Sequence, residues 1–196
     1  MPSKQDHPID LTGHLLIATP GLEDDLFGGS VVYVCEHNAQ GALGLIINKT
    51  TDINVRHLFS RLELSLARED LADLPVLMGG PLHQDRGFVL HEAHVLEGEK
   101  QYASSLPVTA GLAMTSSKDV MNDMSQGIGP RKALMALGCS SWDEGQLESE
   151  LAANAWLTVQ TDADWLFTLT PAERYAKAFQ LLGVDPLRMV STPGHA

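Results

Sequence analysis

Two apolar runs, Val31–Cys35 and Ala42–Ile47, flank a short polar segment and form the most strongly patterned stretch of the chain. Val31, Tyr33 and Cys35 fall on one alternating face and Val32 and Val34 on the other, which predicts a strand buried on both sides. The second run behaves the same way. Between them, His37-Asn38-Ala39-Gln40-Gly41 has the composition of a four- or five-residue hairpin loop, with Gly41 free to take positive φ. Gly44, inside the second run, predicts a bulge or a close approach by another backbone. Glu36, His37 and Asn38 then stand where a buried strand meets the surface, a place that suits a binding site and an ordinary hairpin end equally.

Elsewhere the pattern is more conventional. Residues 1–10 read as a loose tail, and Leu11–Thr19 as a short strand stopped by Pro20-Gly21. Asp52 or Asn54 is placed to cap a helix with Val55, Leu58, Phe59 and Leu62 inward. Residues 65–74 read as a helical turn or linker, 75–81 as a strand closed by a glycine-rich turn, 88–91 as a strand and 92–105 as irregular. A strand over 110–115 leads to Ser116–Asp119, which resembles a capping box opening a helix with Val120, Met121 and Met124 inward and ending at Gly127–Pro130. Lys132–Cys139 is apolar at every position after its first residue and predicts a central strand.

Asp143 is positioned to cap a helix carrying Leu147 and Leu151 inward and Glu144, Glu148 and Glu150 outward. Strands are predicted over 156–160 and 165–169. Thr170-Pro171-Ala172-Glu173 is the clearest helix start, and the stripe Ala172, Tyr175, Ala176, Phe179 and Leu182 predicts its buried face, ending at Gly183. Strands come in runs with helices interspersed irregularly, so the pattern predicts a single α+β domain over 1–196.

Composition narrows the function classes. No apolar run approaches the ~20 residues needed to cross a bilayer, and the N-terminus lacks the apolar core of a leader. Cys35 and Cys139 therefore read as reduced thiols in a cytoplasm, with no membrane partner. The 13 basic and 25 acidic residues give a formal charge of −12, which repels polyanions. Arg56, Arg61 and Arg68 are dispersed and Arg131-Lys132 stands alone, so direct nucleic-acid binding is not expected.

Four stretches carry a resemblance: HLLIATPGLEDDLFGGSVVYVCEHNAQGALGLIINK at 14–49, LMGGPLHQDRGFVLH at 77–91, GQLESELAANAWLTV at 145–159 and a terminal GHA. In that order they resemble the bacterial YqgE/AlgH family over nearly the whole chain. The resemblance implies an α+β fold with a small closed β-barrel and a branching mixed sheet surrounded by helices. It implies little about activity; one branch of the family carries the label of transcriptional regulator. The family's polar pattern matches Glu36, His37, Asn38, Asn48, Gly79, Gly80, Pro81, Arg86, Gly87, His91, Trp142, Gln146, Leu147, Glu148 and Glu150 here. Gly138-Cys139-Ser140-Ser141-Trp142 departs from the GYAGW common in the family, and Tyr175 stands where a tryptophan is common.

The candidate chemistry is incomplete at every point. Cys35 and His37 could be two zinc ligands with His83, His91 or Asp85, but no paired-ligand motif accompanies them. Either cysteine could be a nucleophile, yet both lie in strands that should be buried, where cysteine packs as a small hydrophobe. Gly79-Gly80-Pro81 reads as a tight turn or, less specifically, a phosphate approach. Gln146, Glu148 and Glu150 read as a solvated face. No cofactor or metal is implied. The sequence thus predicts a non-catalytic binding or regulatory protein, with an unknown protein or small-molecule partner held in a polar cleft of Glu36, His37, Asn38, Gly79, Gly80, Pro81, Arg86, His91 and Trp142. The alternatives are a hydrolytic or thiol enzyme using His37 or His91 as base with Glu36, and a DNA-contacting regulator.

Overall fold

The computed structural model describes residues 9–93, 102–109 and 111–189. In chain order the elements are β1 (His14–Ala18), β2 (Val31–Asn38), β3 (Gly41–Ile46), β4 (Thr50–Asn54), α1 (Val55–Arg61), α2 (Glu69–Ala72), β5 (Pro75–Met78) and β6 (Leu82–Glu92). They continue with β7 (Ser105–Pro107), β8 (Leu112–Thr115), α3 (Lys118–Ser125), β9 (Ala133–Asp143), α4 (Gln146–Ala152), β10 (Trp156–Gln160), α5 (Ala163–Thr168), α6 (Pro171–Leu182) and α7 (Pro186–Met189). The expected tail and most of the irregular segment over 92–105 lie outside the described residues.

The strand β9 is the spine of the sheet. Its C-terminal end pairs antiparallel with β3, its N-terminal half pairs antiparallel with β6, and Ala136 and Leu137 also pair parallel with β5. The main path runs β10-β1-β2-β3-β9-β6-β8-β7, with β5 and β4 branching off β9. The sheet curls strongly, yet among the described residues no ladder joins β10 to β7. The closed barrel implied by the resemblance is corrected to a half-barrel, because the sheet forks at β9 instead of returning on itself.

Alternation dictates the layers. Leu15, Ile17, Val31, Tyr33 and Cys35 pack in one core with Phe179 and Ala178 of α6, whereas Leu16, Ala18, Val32 and Val34 pack in another with Leu147 of α4. A third core joins Val89 and Met135 to Phe59 of α1 and Met124 of α3. Both faces of β2 are buried, as its two apolar faces predict. Among the described residues no helix is long and apolar enough to cross a membrane.

Several local expectations change. Asn38 pairs with Gly41, so the hairpin loop is only Ala39-Gln40 and His37 lies within the strand. Gly44 does mark an irregularity: the register slips between Val34 and Glu36 opposite it, and a Cβ there would sit 2.9 Å from the Tyr33 carbonyl oxygen. Asn54 caps α1 by accepting from the His57 N–H at 2.9 Å. Ser117 precedes α3 without capping it, since its hydroxyl donates to the Ala103 carbonyl and the Asp119 carboxylate. Gly145, not Asp143, starts α4.

Residues 163–168 form a helix instead of the predicted strand: the Asp162 carboxylate accepts from the Trp165 N–H at 2.9 Å, and that cap outweighs the aromatic composition. The capping box at Thr170 is present. The buried face of α6 is rotated from the predicted stripe, with Arg174, Ala178 and Phe179 buried while Ala172 and Ala176 are exposed.

Candidate functional site

The register of β9 locates every candidate residue. Near its C-terminal end, His37, Ala42 and Trp142 form one row across β2, β3 and β9, and Glu36, Leu43 and Ser141 form the next. Successive side chains alternate faces. The first row therefore points into the core beneath α4, where His37 and Trp142 are 5% and 4% exposed. The second row points outward, joined by Asn38, opposite Gly41.

The inward row is fully engaged. The His37 ring accepts the Leu11 N–H on Nδ1 at 3.1 Å, which leaves the proton on Nε2, where it is donated to Glu148 Oε1 at 2.9 Å. The Glu148 carboxyl lies below the ordinary carboxylate range, held there first by its own backbone N–H and then by His37. Glu150 is only half-exposed: Oε2 accepts both indole N–H groups, from Trp142 at 2.9 Å and Trp156 at 2.7 Å. Its other oxygen accepts from Gln146 at 3.0 Å, and Gln146 in turn accepts the Asp143 N–H at 3.0 Å. Phe27 completes the aromatic group, edge-on to Trp156 at 5.7 Å. Gln146 and Glu148 are exposed, as the sequence predicts, and Glu150 is half-buried; Glu148 and Glu150 nonetheless fasten α4 to the strands.

The outward row lines an open recess of about 310 Å³ formed by residues 36, 38, 40–43, 141 and 142. Asn38 Nδ2 donates to Glu36 Oε1 there at 3.1 Å, and the Asn38 side-chain oxygen Oδ1 accepts the Gln40 N–H at 2.8 Å, shaping the turn. Ser141, the departure from the family pattern, lies in a regular strand and its side chain is exposed.

Two residues toward the middle of β9 lies the glycine crossing. Gly79 donates to the Leu137 carbonyl at 2.9 Å, and its own carbonyl accepts from the Ile46 N–H at 2.8 Å and the Ser140 hydroxyl at 3.1 Å. A Cβ on Gly80, at φ +155°, would collide with the Cys139 carbonyl. Three backbones meet here with no room for side chains, so these glycines make the sheet's fork. Pro81 and Arg86 are exposed where β6 leaves register between Leu82 and Gly87.

His91 is remote from all of this. It pairs with Ala133, nine residues back along β9 from Trp142, roughly 30 Å of strand. Its Nδ1 donates to the Glu92 carbonyl at 2.9 Å, so Nε2 accepts from the Thr115 hydroxyl at 2.8 Å, and Thr115 meets Ser105 at 2.6 Å. Burial holds its pKa below the usual histidine value. The structure thus brings together Glu36, Asn38 and Trp142 with His37 behind them. It places Gly79, Gly80, Pro81 and Arg86 at the fork and His91 at the far end.

The thiols are packed as hydrophobes. Cys35 is fully buried and its thiol is pushed far up by desolvation; Cys139 is raised by the same cause, with Arg86 acting weakly against it. Among the described residues no three His, Cys, Asp or Glu side chains are gathered as metal ligands would be.

Comparison with known proteins adds a consistent set of matches. The AlgH-like family model, DUF179, matches residues 15–187. A UPF0301 protein of Verminephrobacter eiseniae is 54% identical over 193 residues, covering 96% of each chain, and one of Polaromonas sp. is 52% identical over 188, again 96% of each. The solution structure of the AlgH protein from Pseudomonas aeruginosa superposes with a TM-score of 0.76 at 42% identity, covering 98% of this chain and 100% of that one. A crystal structure of a Corynebacterium diphtheriae protein shares the fold alone, with a TM-score of 0.61 at 16% identity over 85% of this chain and 86% of that one.

Proposed function

We propose that this chain, which belongs to the AlgH-like family, is a non-catalytic cytoplasmic binding protein with a regulatory role, engaging a partner protein at the outward face of the β2–β3–β9 corner. The observation that carries this reading is that the corner is rigidly backed while its outer row stays open. His37–Glu148 and Glu150 with its two indoles hold α4 and the strands together from behind. In front, Glu36, Asn38 and Ser141 present polar groups around half-buried Leu43. Such preorganisation lowers the ordering cost of association.

The enzyme reading is weaker on the same geometry. A general base needs a free nitrogen within reach of substrate. Both ring nitrogens of His37 and of His91 are already bonded inside the protein. Direct DNA contact is disfavoured by the −12 charge, so the regulation proposed here runs through protein.

The test is chemical crosslinking in bacterial extract, with mass spectrometry to locate crosslinked sites on the full chain. The expected result is one protein crosslinked around residues 36–43 and 141, lost in the double variant Glu36→Lys/Ser141→Arg. Both positions are only partly buried or exposed, so the fold should persist. Unchanged crosslinking in that variant overturns the proposal, as does salt-sensitive binding of the wild type to duplex DNA at physiological ionic strength.

A further inference from the structure

On the other side of the molecule, a cavity of about 290 Å³ opens between α2, the N-terminal half of β9 and the α5–α6 junction. Its walls are largely apolar, with Leu71, Leu74, Leu77, Met135 and Phe167 among them. Leu74 is 39% exposed, so the apolar lining reaches the surface. At about 30 Å³ per water-sized group, the space admits roughly ten non-hydrogen atoms.

The same walls carry cationic side chains, in a protein whose formal charge is −12. Arg174 is 2% exposed. One of its terminal nitrogens donates to the Ile47 carbonyl and the other to the Leu166 carbonyl at 2.8 Å, while its Nε–H has no partner. Among the described residues no carboxylate pairs with it. Buried charges are ordinarily paired, because desolvation is otherwise uncompensated. Burial brings the guanidinium down to about 10, which still leaves it charged at neutral pH. Arg131 lines the cavity with an exposed side chain. Lys132 is answered by Asp164 at 3.0 Å and Glu92 at 3.8 Å, and Glu173 is held by Thr170 at the start of α6. These carboxylates are therefore committed elsewhere, and among the described residues the two arginines that line the cavity have no carboxylate in ion-pair contact.

We infer that this cavity is a binding site for a small amphipathic carboxylate, its aliphatic part against Leu71, Leu74 and Met135 and its carboxylate compensating Arg174 and Arg131. This site is separate from the β2–β3–β9 corner and does not depend on the function proposed for it. The carboxylate supplies the charge that the fold withholds from Arg174, and the apolar walls select for a short chain over a polar metabolite. A cavity of this size is near the lower end of those that hold small molecules.

Octanoate and 1-octanol are suitable probes, titrated into the full chain and followed by amide chemical shifts. The expected result is saturable octanoate binding that moves the amides of residues 131–135 and 167–170, with octanol roughly ten- to a hundred-fold weaker, the range of a charged hydrogen bond. Arg131→Gln, at an exposed position, should weaken octanoate about tenfold and leave octanol unchanged. Thr168→Phe at the exposed rim should block both probes. The inference is overturned if millimolar octanoate leaves those amides unmoved, if octanol binds as tightly as octanoate, or if Arg131→Gln leaves octanoate affinity unaltered. None of these variants touches the corner recess, so loss of partner crosslinking there is read independently.

Discussion

At the scale of single residues, the question is which polar groups are free to act, and His37 answers it most directly. Its ring holds the Leu11 N–H on one side and Glu148 on the other. The two bonds should not be equally important. His37→Ala leaves a buried backbone donor without an acceptor, which costs about 1–3 kcal/mol. Glu148→Gln keeps an acceptor oxygen on a side chain that is 44% exposed, so the loss there should stay under about 1 kcal/mol. Urea unfolding of the two variants measures this, and equal losses would shift the weight onto the Glu148 contact. His91 makes a separate prediction. Its folded pKa lies below the unfolded value because burial disfavours the charged ring. The unfolded chain then binds more protons below about pH 6.5, so this residue's contribution is full above that pH and falls as pH drops through it. The deficit of His91→Gln relative to wild type should accordingly narrow between pH 7 and pH 5. Both histidines were visible as candidates in sequence; their inward orientation was not, because a five-residue loop and a two-residue turn place His37 on different sides of the surface.

Elements were legible where local chemistry decides them, and illegible where a distant partner does. Thr170-Pro171-Ala172-Glu173 carries its own cap and forms the predicted start of α6. The helical face of α4 was read correctly at Leu147, fully buried, but Glu150 was read as solvated. Its acceptor role depends on Trp142, before the helix, and Trp156, after it, and nothing in helical periodicity announces such a pairing. The Trp-x13-Trp spacing around a Gln-x3-Glu was the available signal. Glu150→Ala removes the shared acceptor of two buried indole N–H groups and should destabilise the protein by about 2–3 kcal/mol. Glu150→Gln, which keeps an uncharged acceptor, should recover roughly half of that loss. Thermal unfolding with tryptophan fluorescence would register both, and an unaffected Glu150→Ala protein would mean that apolar packing around Leu147 suffices to hold α4. The misread strand over 165–169 has a simple cause: its aromatic composition outweighed the Asp162 cap that precedes it.

On the scale of the whole molecule, the α+β class and the central place of β9 could be read from the apolar run 132–139, whereas the fork could not. A strand with apolar side chains on both faces declares that it is covered, but not how many strands it pairs with. Gly79, Gly80 and Gly138 were the trace of that crossing, and in sequence they are indistinguishable from a tight turn. The fork also sets an order of events during synthesis. β3, β5 and β6 all emerge before β9, and each finds its shared neighbour only when residues 133–143 follow. Until then a nascent chain presents unpaired strand edges, a condition that invites chaperones or misassociation. A ribosome-stalled chain ending before β9 should therefore be cut readily by a protease throughout β3–β6, and one extended past α6 should resist. Equal resistance in the two would mean that the amino-terminal strands assemble without their spine.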